Sequence, residues 1–320
     1  MKKIVEKIKK ISPKNLFGSL KNIFKRKNKI KNDKVLKQRE EERSAVYVIS
    51  TSIILAGMAI VVAVVFFGVR ILQEIETIKY QYDPQNPLSK QSLIYYAKEM
   101  GINTSWFKSC LESKKYEEKI QTEKGDAEKA EVRGTPSIFV GQLQNNQTIK
   151  GFQIVLPDYS NIEYAVNAIK DQGVESAIES VKDRVYQNAY EDALSYYKSQ
   201  EGMSEEDAKK QAEEYAKQMK GQISLKEVGV GFFPPLKNGN PQVAIVEFLD
   251  FECPYCKNFA QQTLPTVKDN LINKGIAAYY VRMFPLDFHT NAKSAAYAAF
   301  CANDKGKFWE MYDRLFGVGE

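Results

Sequence analysis

Histidine is almost absent from this 320-residue chain: His289 is the only one. A lone histidine with no fixed neighbour does not build a Cys-His-Asp triad, so capping or packing is the expected role of His289. Cysteine is also scarce, with four residues at 110, 253, 256 and 301, and only 253 and 256 have knuckle spacing. A zinc site needs a second knuckle or more histidines, so no metal is expected, and no cofactor motif stands out. Charge is missing from one stretch altogether: residues 44–69 are 26 consecutive positions without Asp, Glu, Lys or Arg.

That uncharged run changes the meaning of the overall charge of +6. Residues 1–43 hold 16 Lys+Arg and 5 Asp+Glu, a net of +11, which leaves −5 for the rest of the chain. The basic excess therefore belongs to a tail, which argues against a nucleic-acid-binding globular domain with a basic stripe on its folded part. About 20 apolar residues span a bilayer core, so 44–70 is expected to be a transmembrane helix in contact with lipid. It is longer than a signal-peptide core and is followed by Gln73-Glu74-Ile75-Glu76 with no small-x-small cleavage site. By the positive-inside rule 1–43 is a cytoplasmic tail, and everything beyond residue 70 is extracytoplasmic. Within the tail Ile4, Ile8, Ile11, Leu16, Phe17, Leu20, Ile23 and Phe24 recur among the lysines, as in a helix lying on anionic lipid. Pro13 and Gly18 fit a solvated arm equally well.

All four cysteines then lie where thiols can be oxidised. Cys253-Pro254-Tyr255-Cys256 follows the apolar run 243–251, read as a buried strand, and precedes a helix over 257–268. A thiol at a helix start meets unpaired N–H groups and a positive dipole that lower its pKa. Cys253 is thus expected to be exposed at the cap as the attacking nucleophile, with Cys256 one turn in, shielded, as the resolving thiol. Glu247 is an acid inside the apolar run. Burial would raise its pKa and suit it to exchange a proton with Cys256, whereas a strand-end carboxylate reaching solvent would do neither.

The segments IVEFLDFECPYC, FPLDFHTNAKSAAYAAFCANDKGKFWEMYDRLF, LIYYAKEMGI, FKSCLES and VRGTPSIFVG together resemble the DsbA-like family of thioredoxin-fold thiol:disulfide oxidoreductases. The resemblance covers about 88–172 and 225–316. It implies an α/β thioredoxin-like fold with a helical insertion, in which Cys253 and Cys256 are the redox pair and Glu247 the buried acid. It also implies that Pro136 is the cis-proline facing the pair, with the Thr135 backbone, Pro254 and Tyr255 receiving the substrate chain. Many relatives carry a second disulfide in the helical insertion, which would here join Cys110 to Cys301; two buried free thiols are the alternative. The resemblance further implies thiol-bearing secreted or envelope substrates and a membrane quinone-linked reoxidising partner, DsbB- or VKOR-like. Tyr255 replaces the histidine of strongly oxidising CPHC relatives, so a less oxidising couple is expected. A reductase or isomerase, or a non-catalytic tethered chaperone with a static disulfide, are the alternative functions.

The order of the halves departs from the family. The cis-proline half, 88–172, comes before the CxxC half, 225–320, with a linker at 71–87 and a spacer at 173–224. A single circularly permuted domain is the most economical reading, since permutation cuts fall at exposed loops. A piece of a longer tandem protein and a dimer exchanging halves are the rivals. In the spacer, Val174, Ile178, Val181 and Val185 recur at helical spacing, and Ser204-Glu205-Glu206-Asp207 is a capping signal for a second helix. A helical hairpin is expected there, and its tyrosines at 186, 190, 196, 197 and 215 leave a substrate-binding or dimerising arm open.

Overall fold

The computed structural model describes Met58 and residues 65–70, 81–155 and 157–318. The chain divides into two units, Met1–Ile75 and Glu76–Glu320. In the first, Met58 and 65–70 are helical, with Phe66 and Phe67 exposed. The rest of the expected membrane span at 44–70, and the whole of the tail, lie outside the described residues. Among the described residues no helix is long and apolar enough to cross a membrane.

The second unit is built on one five-stranded mixed sheet. The chain first lays down three helices, α1 (Lys90–Glu99), α2 (Thr104–Ser113) and α3 (Glu117–Lys129), followed by the hairpin strands β1 (Ser137–Gln144) and β2 (Thr148–Ile154). Helices α4 (Tyr159–Gln172), α5 (Val174–Lys198) and α6 (Glu205–Gly221) lead to a short strand, β3 (Lys226–Gly229), and to β4 (Val243–Leu249). Helix α7 opens at Pro254–Asn258 and runs on to residue 272 through two π-helical stretches, Phe259–Thr263 and Lys268–Ile272. Strand β5 (Ala277–Met283) and helices α8 (Ala292–Asn303) and α9 (Phe308–Phe316) complete the unit.

The strand order is β3-β2-β1-β4-β5, parallel between β4 and β5 and antiparallel elsewhere. The junction between β1 and β4 matters most. Ser137 pairs with Phe248 and Ile138 with Glu247, so two segments about a hundred residues apart form the sheet centre. Strand side chains alternate faces. On one face Val243, Ile245 and Leu249 of β4 and Tyr279, Val281 and Met283 of β5 join the larger core with most of the helices. On the other, Ala244, Val246 and Phe248 pack with Ala278 and Tyr280 under α3, through its Ala127. Glu247 falls by this alternation on the larger-core side and is fully buried.

Arg282 falls on the opposite side, also fully buried. Its Nε donates to Glu123 Oε2 at 2.7 Å, its Nη2 to Asp126 Oδ2 at 2.8 Å and its Nη1 to the Gly229 carbonyl at 2.5 Å. Burial pushes Glu123 up to about 7 against the opposing pull of Arg282. Gly231 has φ +85, and a Cβ there would overlap Cδ of Arg282, so this position has two reasons to be glycine. The cluster ties α3 to β5. Cys110 of α2 and Cys301 of α8 form a disulfide 191 positions apart, which makes a second tie.

The segment read as a spacer is a helical hairpin of α5 and α6 packed together. Val174, Ile178, Val181 and Val185 are buried on α5, and Ala208, Ala212 and Ala216 form a small-residue seam on α6. Ser204 caps α6 by accepting the Asp207 N–H at 3.1 Å.

Candidate active site

The end of β4 delivers a turn, 250–253, into the start of α7. Cys253 is the N-cap residue, with its carbonyl accepting the Lys257 N–H at 3.1 Å. Pro254 at the first helical position has no N–H to satisfy and a φ suited to the helix. Cys256, one turn in, is fully buried. Both cysteines are free thiols.

Cys253 differs from its expected exposure: only 4% of its surface is accessible. The cover comes from a distant part of the chain. Residues Thr135 and Pro136, joined by a cis peptide bond, lie at the start of β1, and the Thr135 carbonyl accepts from Cys253 Sγ at 3.2 Å. Because β1 pairs with β4 in the register given above, the loop before β1 and the turn after β4 meet at one end of the sheet. Pro254 and Tyr255 stay exposed beside the pair.

The two thiols are driven apart electrostatically. A hydrogen bond from Cys256 is the main cause that lowers Cys253. Thr135 and the backbone N–H groups of Cys256 and Tyr255 add to it against the cost of burial, and the result is about 5. Burial is the chief cause raising Cys256, with the hydrogen bond to Cys253 and the charge of Glu247 adding to it. The Asp250 N–H, 3.5 Å from Cys256 Sγ, works the other way. Glu247 is pushed up to about 8 by burial, although the Tyr279 hydroxyl donates to its Oε2. Its Oε1 has no hydrogen-bond partner among the described residues. At neutral pH the arrangement therefore holds a thiolate at Cys253, a thiol at Cys256 and a largely protonated carboxyl at Glu247.

Asp250 organises the turn. Its Oδ1 accepts the Glu252 N–H at 2.7 Å, and its Oδ2 accepts the Leu286 N–H at 2.8 Å. His289 Nδ1 also lies 2.8 Å from Asp250 Oδ2, which gives the lone histidine a packing role at the edge of the site. The Glu252 carboxylate accepts from the Asn291 backbone and side chain at 2.5 and 3.0 Å. Sequence reading did not single out Asp250, Glu252 or Tyr279. The available signal for Asp250 was its place between the apolar strand and the first cysteine.

The sequence-expected residues thus fall into three groups. Cys253, Cys256, Glu247, Thr135 and Pro136 meet at one end of the sheet, Pro254 and Tyr255 flank the opening, and Cys110 and Cys301 form the disulfide that joins α2 to α8.

Comparison with known proteins gives two family matches of differing kind. The DSBA-like thioredoxin domain family matches residues 78–169, and a family described as thioredoxin matches 238–319. A Na(+)/H(+) antiporter NhaA 3 from Salinispora tropica is 45% identical over 74 residues, covering 23% of this chain and 11% of the antiporter. A probable disulfide bond formation protein D from Bacillus cereus is 36% identical over 75 residues, covering 23% of this chain and 35% of that protein. Disulfide bond formation protein D from Bacillus subtilis is 30% identical over 89 residues, covering 26% and 38%. The matched segments thus span well under half of these relatives' own lengths. The second unit joins the mixed sheet, the cis-proline loop and the CxxC helix start in a thioredoxin-like α/β fold, and the chain is similar over part of its length to the DSBA-like thioredoxin domain and to disulfide bond formation protein D.

Proposed function

We propose that the chain is a membrane-anchored thiol:disulfide oxidoreductase that introduces disulfides into secreted or envelope proteins. The observation that carries this reading is the placement of two free thiols at one helix start, with Cys253 as the N-cap residue 3.2 Å from the cis-proline loop carbonyl of Thr135 and Cys256 buried one turn in. The lowering of Cys253 and raising of Cys256 agree with it.

In the oxidising direction a substrate thiolate attacks Sγ of Cys253 in the Cys253–Cys256 disulfide. The new bond is a mixed disulfide, and the electron pair of the old bond leaves on Cys256, whose raised pKa calls for a proton at once. Glu247, protonated near neutrality, is the neighbouring donor, and its carboxylate takes the proton back when Cys256 next acts as nucleophile. A second substrate thiolate then attacks the substrate sulfur and expels Cys253, a good leaving group because its thiolate is stabilised. The substrate loses two electrons and two protons and gains one disulfide, while the protein pair is reduced. A membrane quinone-linked partner, DsbB- or VKOR-like, reoxidises it.

The halves are read as one circularly permuted domain. Support comes from the β1–β4 pairing within a single chain and from the packing of α9 against α1, where the family order would be rejoined. The Cys110–Cys301 disulfide fits an oxidising compartment beyond the membrane, as do the +11 tail and the uncharged run at 44–69. The anchor is read as a single pass with the N-terminus cytoplasmic.

The test is transfer. Oxidised full-length protein in detergent, mixed with an excess of a reduced peptide dithiol, is expected to form one peptide disulfide per protein, and Cys253→Ser to form none. Transfer by the Cys253→Ser protein, or none by the wild type, contradicts the proposal.

A further inference from the structure

Beside the redox centre lies a cleft of about 640 Å³ that contains Thr135 and Pro136. Much of its other wall does not come from the two family-matched segments. Gln218 and Gly221 of α6, then Gln222, Ser224 and Lys226, belong to a stretch matched by neither family. Arg133, Glu131 and Gln153 close the cis-proline side.

This wall is held in place. The Ala208, Ala212 and Ala216 seam seats α6 on α5, Lys220 Nζ lies 2.7 Å from Asp183 Oδ1, and Ile223 is buried directly after the helix. Gln218, Gln222 and Ser224 are exposed. Lys226 is paired with Glu131 at 2.7 Å, and Arg133 also acts on the Glu131 carboxylate, so the cleft lining holds two cations against one anion. The lining is therefore polar, rich in side-chain amides and backbone groups, and weakly positive.

Its position defines its occupant. The Thr135 carbonyl lies 3.2 Å from Cys253 Sγ, so a chain bonded through its own cysteine to Cys253 starts at the mouth of this cleft. An extended chain advances about 3.3–3.6 Å per residue, which brings the first few residues flanking that cysteine against Arg133, Gln153 and Gln218. Amide side chains satisfy exposed backbone and polar groups of an unfolded segment without requiring one sequence.

We propose that the cleft binds the flank of a substrate cysteine as an extended, polar polypeptide, and that α6 with residues 222–226 determines which flanks are accepted. The inference rests on the oxidoreductase reading and gives the hairpin a role in substrate selection.

The experiment uses full-length protein in detergent and three reductants: dithiothreitol and two 12-residue peptides with one cysteine pair, flanked by Ser, Gln and Asp in one and by Leu and Val in the other. The wild type is expected to oxidise the polar peptide with the higher kcat/KM. Gln218→Trp and Ser224→Trp, which fill the cleft, are expected to lower the polar-peptide to dithiothreitol ratio of kcat/KM at least five-fold, through KM. Glu206→Trp, an exposed position about three turns from Gln218 and on another face of α6, is the control and is expected to leave that ratio unchanged. A fall of less than five-fold in both cleft variants, or a wild-type preference for the apolar peptide, overturns the inference while exchange itself persists. No exchange with any of the three by the wild type overturns the oxidoreductase reading and this inference with it.

Discussion

Replacing Glu247 by Gln offers a test in which pH separates the buried charge from everything else. Glu247 is fully buried, and its carboxyl is pushed from 4.5 to about 8, chiefly by burial. Below pH 4.5 the group is protonated in both folded and unfolded chains and contributes nothing. Between pH 4.5 and 8 the unfolded chain ionises while the folded one resists, so the folded state binds more protons and this contribution falls as pH rises. Above pH 8 the penalty is complete, on the order of 3–5 kcal/mol for a carboxyl moved from 4.5 to about 8. A glutamine side chain cannot ionise and so lacks this dependence. Its amide NH₂ would stand where Oε1 has no partner, a cost of about 1–3 kcal/mol that does not change with pH. Urea denaturation of the reduced protein, followed by the fluorescence of Trp106 and Trp309, gives the difference between the Glu247→Gln variant and the wild type at each pH. That difference is expected to shift in favour of the variant by about 3–5 kcal/mol between pH 4 and pH 8. Because the Cys253 charge also raises Glu247, the pair is repeated in a Cys253→Ser background, where the shift is expected to shrink slightly. A difference that moves by less than about 1 kcal/mol across the interval would refute the claim that Glu247 is buried without its charge.

Other outcomes follow from the same geometry. The rate of Cys253 alkylation by iodoacetamide is expected to rise about ten-fold from pH 4 and level off above about pH 6.5, as a thiol titrating at about 5 requires; a continued climb through pH 8 would indicate an ordinary thiol. Replacing Cys110 and Cys301 together by Ala is expected to cost up to about 5 kcal/mol in urea denaturation, because the bond closes a loop of 191 positions in the unfolded chain. Arg282→Ala is expected to cost about 3–5 kcal/mol, since it leaves the Glu123 carboxylate buried without its main partner; a loss under 1 kcal/mol would mean that the α3–β5 tie is weak.

What could be read from the sequence was local. The apolar run gave β4, observed at Val243–Leu249, and the CxxC spacing gave a helix cap at Cys253. The Ser204 capping signal and the valine spacing marked the two helices of the hairpin. Resemblance supplied what spacing alone does not, namely that residues 135–136 and 253–256 share one site. The misses were long-range. Cys253 was expected to be exposed, but the loop that covers it lies 118 positions away. Arg282 meets Glu123 and Asp126 across 159 and 156 positions, and a single charge in an apolar strand does not announce its partner. The four-residue strand β3 is too short to show alternation, and its pairing with β2 decides its state. Tyr279 was hidden in an apolar run because a tyrosine in a strand is expected there for packing alone.

The central claim is that Cys253 exchanges disulfides with other proteins and that Cys256 resolves the exchange. The most direct measurement is to express the full chain with Cys256→Ala in cells, quench thiols with acid, and separate proteins without reductant. The account predicts a ladder of reductant-sensitive adducts that vanishes when Cys253 is also replaced by Ser. Their absence, or adducts that persist without Cys253, would contradict it.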